Sequence, residues 1–67
     1  MKRADEVWIA FRAAFEELTS EERAAFVLRQ MFAAEYAELA RILGNSEAEC
    51  RRLVRSATKR LRDGRPG

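Results

Sequence analysis

The sequence predicts an all-α fold of four short helices, the last two joined as a helix-turn-helix, over residues 1–63, with 64–67 as the start of a linker or tail. Three observations carry that prediction. Apolar residues recur at three- and four-residue spacing, the period of one helix face. Two such stripes are separated by Gly44, where a backbone turn of positive φ is cheapest. Hydroxyl residues followed by acids, at Thr19 and Ser46, mark helix starts. The expected helices cover about 4–18, 20–33, 35–43 and 46–62.

In the first helix, Val7, Phe11, Ala14, Phe15 and Leu18 repeat at i, i+4, i+7, i+8 and i+11. Trp8 and Ile9 widen that stripe beyond what one small core needs. They either pack at the domain's edge or form an exposed aromatic patch for a partner. Thr19 closes this helix and caps the next, and Glu21 and Glu22 suit the dipole of its first turn. In the second helix Ala25, Leu28 and Phe32 make one line, flanked by Ala24 and Met31. Neither Gly nor Pro marks its end; the apolar phase changes between Phe32 and Tyr36, which places a turn near 33–35. Leu39, Ala40 and Leu43 form the stripe of the third helix, with Ala40 small where the two motif helices cross. Ser46 is expected to cap the fourth helix and to form a capping box with Glu49. Cys50, Leu53, Val54, Ala57 and Leu61 are its core stripe. Gly64 and Pro66 stop it.

A chain of 67 residues is one domain at most, and one this short buries only about 60% of its unfolded surface. With one Cys and no His, neither an internal disulfide nor a metal site of Cys and His clusters is expected. Asp5 and Glu6 interrupt any apolar run after Met1-Lys2-Arg3, so no signal peptide is read. No stretch approaches the roughly 20 apolar residues that span a bilayer. A cytoplasmic setting without membrane contact is the expectation. No catalytic residue is assigned, because no nucleophile stands beside a base, and the pairs Glu16-Glu17 and Glu21-Glu22 read as solvated helix residues. No cofactor is implied. Cys50 reads as a small core residue rather than a redox centre.

Charge is uneven. Residues 1–34 hold five Lys/Arg and six Asp/Glu, whereas 35–67 hold eight and five. From Arg51 to Arg65 there are seven cations and one anion, Asp63. Such a cluster suits a polyanionic partner; the alternative is a solvated helix face rich in Arg.

Three runs carry a more specific signal: Leu18-Thr19-Ser20-Glu21-Glu22-Arg23-Ala24-Ala25-Phe26-Val27-Leu28-Arg29, then Tyr36-Ala37-Glu38-Leu39-Ala40-Arg41-Ile42-Leu43-Gly44, then Ser46-Glu47-Ala48-Glu49-Cys50-Arg51-Arg52-Leu53-Val54. Together they resemble region 4 of bacterial sigma factors of the extracytoplasmic-function group, over about residues 7–62. The run from Ser46 to Leu53, with Ala10-Phe11, is similar to the subgroup carrying a SnoaL-like C-terminal extension. The resemblance implies binding of the −35 promoter element as duplex DNA and docking on the flap of the RNA polymerase β subunit. It also implies an anti-sigma factor or C-terminal regulatory domain as a further partner. Two positions depart from the family: Ser56-Ala57 stands where an Arg-Ala pair is frequent, and Asn45 where an apolar residue often follows the glycine. Region 2, which reads the −10 element, is absent, so one domain of a longer protein is expected.

In that family the fourth helix reads DNA, so the expected contacts fall on Ser46, Glu47, Ala48, Arg51, Arg52, Arg55, Lys59, Arg60 and Arg62. Residues near the start of a recognition helix reach base edges and later ones meet phosphates. Glu47, Ala48, Arg51, Arg52 and Arg55 are therefore assigned to bases, and Lys59, Arg60 and Arg62 to phosphates. Glu47 either accepts from a cytosine amino group or only stabilises the helix start. Arg41 either touches the backbone or is solvated. Two rival readings remain: a stand-alone helix-turn-helix regulator that dimerises across two half-sites, and a protein-interaction module using Trp8, Ile9 and Phe11 without DNA.

Overall fold

The computed structural model describes residues 3–63, which form α1 (Ala4–Glu16), α2 (Ser20–Met31), α3 (Tyr36–Leu43) and α4 (Glu47–Asp63). No strand occurs among the described residues. The all-α, four-helix expectation therefore holds, and the expected tail, 64–67, lies outside the described residues.

The spine of the fold is α4. Its apolar stripe, at helical period, is buried along its whole length: Cys50, Leu53, Val54, Ala57 and Leu61. The N-terminal half packs with Ala25 of α2 and Leu39 of α3 into one core cluster, edged by Leu28, Ala34, Tyr36, Ala40 and Leu43. The C-terminal half packs Ala57 and Leu61 against Ala14 and Leu18, edged by Phe15 and Phe26. Ala25 and Ala57 are both fully enclosed, which lets α2 and α4 approach closely.

Helix ends explain the differences from the expected boundaries. α1 stops at Glu16, and Glu17 and Leu18 continue as a tight turn whose amides reach the carbonyls of Ala14 and Phe15. α2 starts as expected at a full capping box: Thr19 Oγ1 accepts from the Glu22 amide (3.1 Å), and a Glu22 carboxylate oxygen accepts from the Thr19 amide (2.9 Å). α2 ends at Met31, two residues early. Ala33 adopts φ 55°, and the Ala34 amide turns back to the Leu28 carbonyl at 3.0 Å. An alanine in the left-handed region is unusual, so no residue type announced this break.

Three side chains, Phe32, Val7 and Glu22, fall elsewhere than the apolar and acidic patterns predict. Phe32, expected on the core line, lies past the helix end and is 71% exposed. Val7 is 53% exposed, and α1 buries no residue before Ala14. Trp8 and Ile9 are exposed as well, and Trp8, Phe11 and Phe15 stack at 6.0 Å centroid spacing down α1 to an edge contact with Phe26. Glu22, expected to be solvated, is buried.

Candidate nucleic-acid interface

The α3–turn–α4 unit is held at three points. Gly44 takes φ 72°, and the Ala40 carbonyl accepts from both the Gly44 amide (2.9 Å) and the Asn45 amide (3.1 Å), a six-residue closure that ends α3. Asn45 Nδ2 donates to Glu21 Oε2 at 3.3 Å, tying the turn to the start of α2. Here the departure from an apolar residue supplies a polar tether. Ser46 Oγ accepts from the Glu49 amide at 3.0 Å and caps α4, as expected. The reciprocal half of the box does not form: the Glu49 carboxylate is taken by Arg52, which donates through Nε (3.1 Å) and Nη2.

With the apolar stripe turned inward, the helical period leaves Ala48, Arg51, Arg52, Arg55, Lys59 and Arg62 on the opposite side of α4, all exposed. Four of these cations lean on acids of the same helix: Arg51 on Glu47 (3.6 Å), Arg52 on Glu49, Lys59 on Asp63 (3.9 Å) and Arg62 on Asp63 (3.8 Å). These pairs are solvent-exposed and weak, so they leave the guanidinium and ammonium groups available. Arg55 has no ion-pair partner among the described residues. The hydrogen bond from Arg52 holds the Glu49 carboxyl below its ordinary pKa and raises that of Arg52 in return.

Arg60 stands apart from this strip. It turns toward α2, with Nε 3.8 Å from Glu22 Oε2 and Nη1 donating to the Glu17 carbonyl at 3.5 Å. Ser56 is on the same flank and donates to Glu22 Oε2 at 2.6 Å. Chiefly through the Ser56 bond, then the Thr19 amide, the Glu22 carboxyl is held below its usual range despite burial. Ser46 and Glu47 sit at the mouth of the turn, both exposed. Arg41 on α3 is also exposed.

Tyr36, the first residue of α3, adjoins the strip; it opens one of the sequence runs named above but was assigned no contact there. Its ring lies under two guanidinium groups, Arg29 of α2 at 4.3 Å and Arg51 of α4 at 5.0 Å from the centroid. Arg29 is itself fixed by donating to the Ala34 carbonyl at 3.0 Å. Cys50 is buried beneath the strip; burial first, then Glu49, Glu47 and Glu21, pushes its thiol pKa up, away from reactivity. No helix among the described residues is long and apolar enough to cross a membrane.

An open apolar groove of about 460 Å³ runs between α1 and α2, lined by Trp8, Phe11, Phe15, Phe26, Val27 and Met31 among others. It is separate from the cationic strip.

The family described as Sigma-70, region 4 matches residues 8–61, taking in α2, α3, the turn and most of α1 and α4. The chain is 41% identical over 56 residues to the ECF RNA polymerase sigma factor SigJ of Mycobacterium tuberculosis, covering 84% of this chain and 18% of that protein. It is 33% identical over 61 residues to the probable ECF RNA polymerase sigma factor SigI of the same species, covering 91% of this chain and 21% of that protein. The chain therefore spans about a fifth of the length of the curated relatives it matches. No solved structure matches it. The match runs through the whole helix-turn-helix and the helices that brace it, and the chain belongs to the sigma-70 region 4 family.

Proposed function

We propose that this domain binds the −35 promoter element as duplex DNA with α4 in the major groove, and contacts RNA polymerase during transcription initiation. One observation carries the DNA half of this proposal: the exposed cations of α4 share the side opposite its buried stripe. Arg51, Arg52 and Arg55, with Glu47 and Ala48, lie in the first half of the helix, where a recognition helix meets base edges. An Arg there grips guanine O6 and N7 bidentately, worth about 1–3 kcal/mol of discrimination. Lys59 and Arg62 follow, placed for phosphates. Arg60 is the least suited of the expected contacts, since Glu22 and the Glu17 carbonyl hold it on the flank. Ser46 is engaged as a cap and meets DNA through the helix start it organises.

The groove of Trp8, Phe11, Phe15, Phe26, Val27 and Met31 supports a protein contact, and we assign it to the flap of the polymerase β subunit. It answers the same feature that suggested an interaction module, without giving up the DNA face. An anti-sigma factor, or a SnoaL-like regulatory domain elsewhere in the parent protein, is the further expected partner. The full protein belongs with the extracytoplasmic-function sigma factors, in keeping with the two relatives.

The test is binding to duplexes selected from a randomised pool. Arg55→Ala should weaken binding to the selected duplex about 5- to 160-fold more than to random duplex, the equivalent of about 1–3 kcal/mol. Lys59→Ala should weaken both alike and reduce the salt slope by about 0.9. Equal losses on both duplexes from Arg55→Ala would remove the assignment to base reading.

A further inference from the structure

We propose that Tyr36 is a positioning residue for DNA reading: its ring, anchored from α2 through Arg29, orients the Arg51 guanidinium on the strip. This rests on the DNA-binding function proposed above and adds a residue outside α4 to its specificity.

The cations of the strip differ in how they are held. Among the described residues Lys59 and Arg62 form ion pairs only with Asp63 of their own helix, and Arg55 forms none. Arg51 is held from two helices, by Glu47 of α4 (3.6 Å) and by the face of Tyr36 in α3 (5.0 Å to the centroid). A guanidinium within about 6 Å of a ring centroid is attracted by the ring's negative face. The ring is not free to follow Arg51. Tyr36 is half-buried against the core cluster of Ala25, Leu39 and Cys50, and Arg29 lies over the same ring with its own guanidinium bonded to the Ala34 carbonyl. Arg51 is therefore presented at the α3 edge of the strip in a restricted posture. Bidentate reading of a base requires a planar guanidinium in one orientation, and a side chain ordered beforehand loses less freedom on binding. Tyr36 thereby acts through Arg51 rather than on DNA itself.

The experiment uses the full chain and duplexes selected from a randomised pool by the wild type, with random duplex as the comparison. Tyr36→Leu should cost about threefold to tenfold in affinity for the selected duplex, with little change on random duplex. Tyr36→Phe, which keeps the ring, should restore wild-type discrimination. Arg51→Lys, at an exposed position where folding is not at stake, should lose discrimination as Tyr36→Leu does, because it keeps the charge without the planar group. In an Arg51→Ala background, Tyr36→Leu should have no further effect on the selected-to-random ratio. The inference is overturned if Tyr36→Leu weakens both duplexes equally, or if its effect persists undiminished without Arg51. A wild type that shifts no duplex at low salt would overturn the DNA function itself, whereas a wild type that discriminates and a Tyr36→Leu chain that discriminates equally well would overturn only the role of Tyr36.

Discussion

Ser56 of α4 donates its hydroxyl to Oε2 of Glu22 in α2 at 2.6 Å, and this contact fastens α4, the spine of the fold, to the helix that braces it. Glu22 also closes the capping box with Thr19 through its other oxygen, so one buried carboxylate serves a helix start and a helix-helix contact together. Arg60, 3.8 Å away, supplies the compensating charge. Ser56 is thus committed to an internal contact rather than to the exposed strip.

Ser56→Ala should therefore destabilise the domain by about 1.5–3 kcal/mol, the range for a hydrogen bond to a charged group. Urea unfolding at pH 7 measures it. The loss should shrink in acid. The folded pKa of Glu22 is depressed, chiefly by this bond, so its contribution is complete above the ordinary value near pH 4.5 and declines as pH falls through the lower folded value. The wild type and Ser56→Ala should converge as pH is lowered from 5 toward 2; a constant gap would show that Glu22 is not the linked group.

The two left-handed residues among those described, Ala33 (φ 55°) and Gly44 (φ 72°), predict opposite responses to exchange. Ala33→Gly should stabilise by about 1 kcal/mol, since it relieves a conformation that costs an L-residue roughly 1–2 kcal/mol and returns part of this as glycine entropy. Gly44→Ala should cost a similar amount. A Cβ added there meets nothing within 4 Å, so the penalty is the backbone's alone, without a steric clash. Thermal melts of the two variants should move in opposite directions. A neutral Ala33→Gly would mean that the turn after α2 relaxes at no cost.

These two turns also show what the sequence could and could not announce. Gly44 and Ser46 fixed the helix-turn-helix, because a glycine after an apolar stripe and a hydroxyl three residues before an acid leave few alternatives. The cationic side of α4 followed from the buried stripe by geometry, since residues out of phase with Cys50, Leu53 and Ala57 have nowhere else to point. Ala33 carries no such mark. The chain adopts its left-handed turn for the sake of tertiary packing, with Ala34 and Tyr36 drawn onto the core. Glu22 and Tyr36 were equally silent for the same reason: their roles depend on Ser56, Arg60, Arg29 and Arg51, which are distant in the chain and meet only in the fold. The exposure of Val7 was hidden because a helical stripe shows that a face is apolar, not that anything covers it.

Cys50 should be inert in the folded domain. It is fully buried, and burial together with the nearby acids raises its thiol pKa. A thiol-specific reagent at pH 8 should label it no faster than the domain opens, so the labelling rate should fall as stabilising variants such as Ala33→Gly are introduced. Cys50→Ser should lower stability by about 1–3 kcal/mol by burying a hydroxyl without a partner. Rapid labelling under native conditions would place the thiol nearer the surface than the structure does.

Glu49 and Arg52 give the last prediction. Arg52 donates to the Glu49 carboxylate through two of its nitrogens, three residues along one helix turn, with both side chains accessible to solvent. In the proposed DNA complex the carboxylate competes with DNA for a guanidinium on the strip, and it also adds a negative charge to the proposed contact face. Glu49→Gln should free Arg52 and raise affinity for random duplex severalfold at low salt, with the salt dependence becoming steeper because, without its cognate base, the freed guanidinium turns to phosphate. Affinity for the selected duplex should rise less, because the same carboxylate orients Arg52 in the wild type, so the selected-to-random ratio should fall. The cap on α4 survives the change, since the Glu49 amide still donates to Ser46 Oγ. Titration of both duplexes at several salt concentrations decides it: unchanged affinity for random duplex would place Arg52 outside the contact surface, and the first turn of α4 would then meet DNA through Arg51 and Arg55.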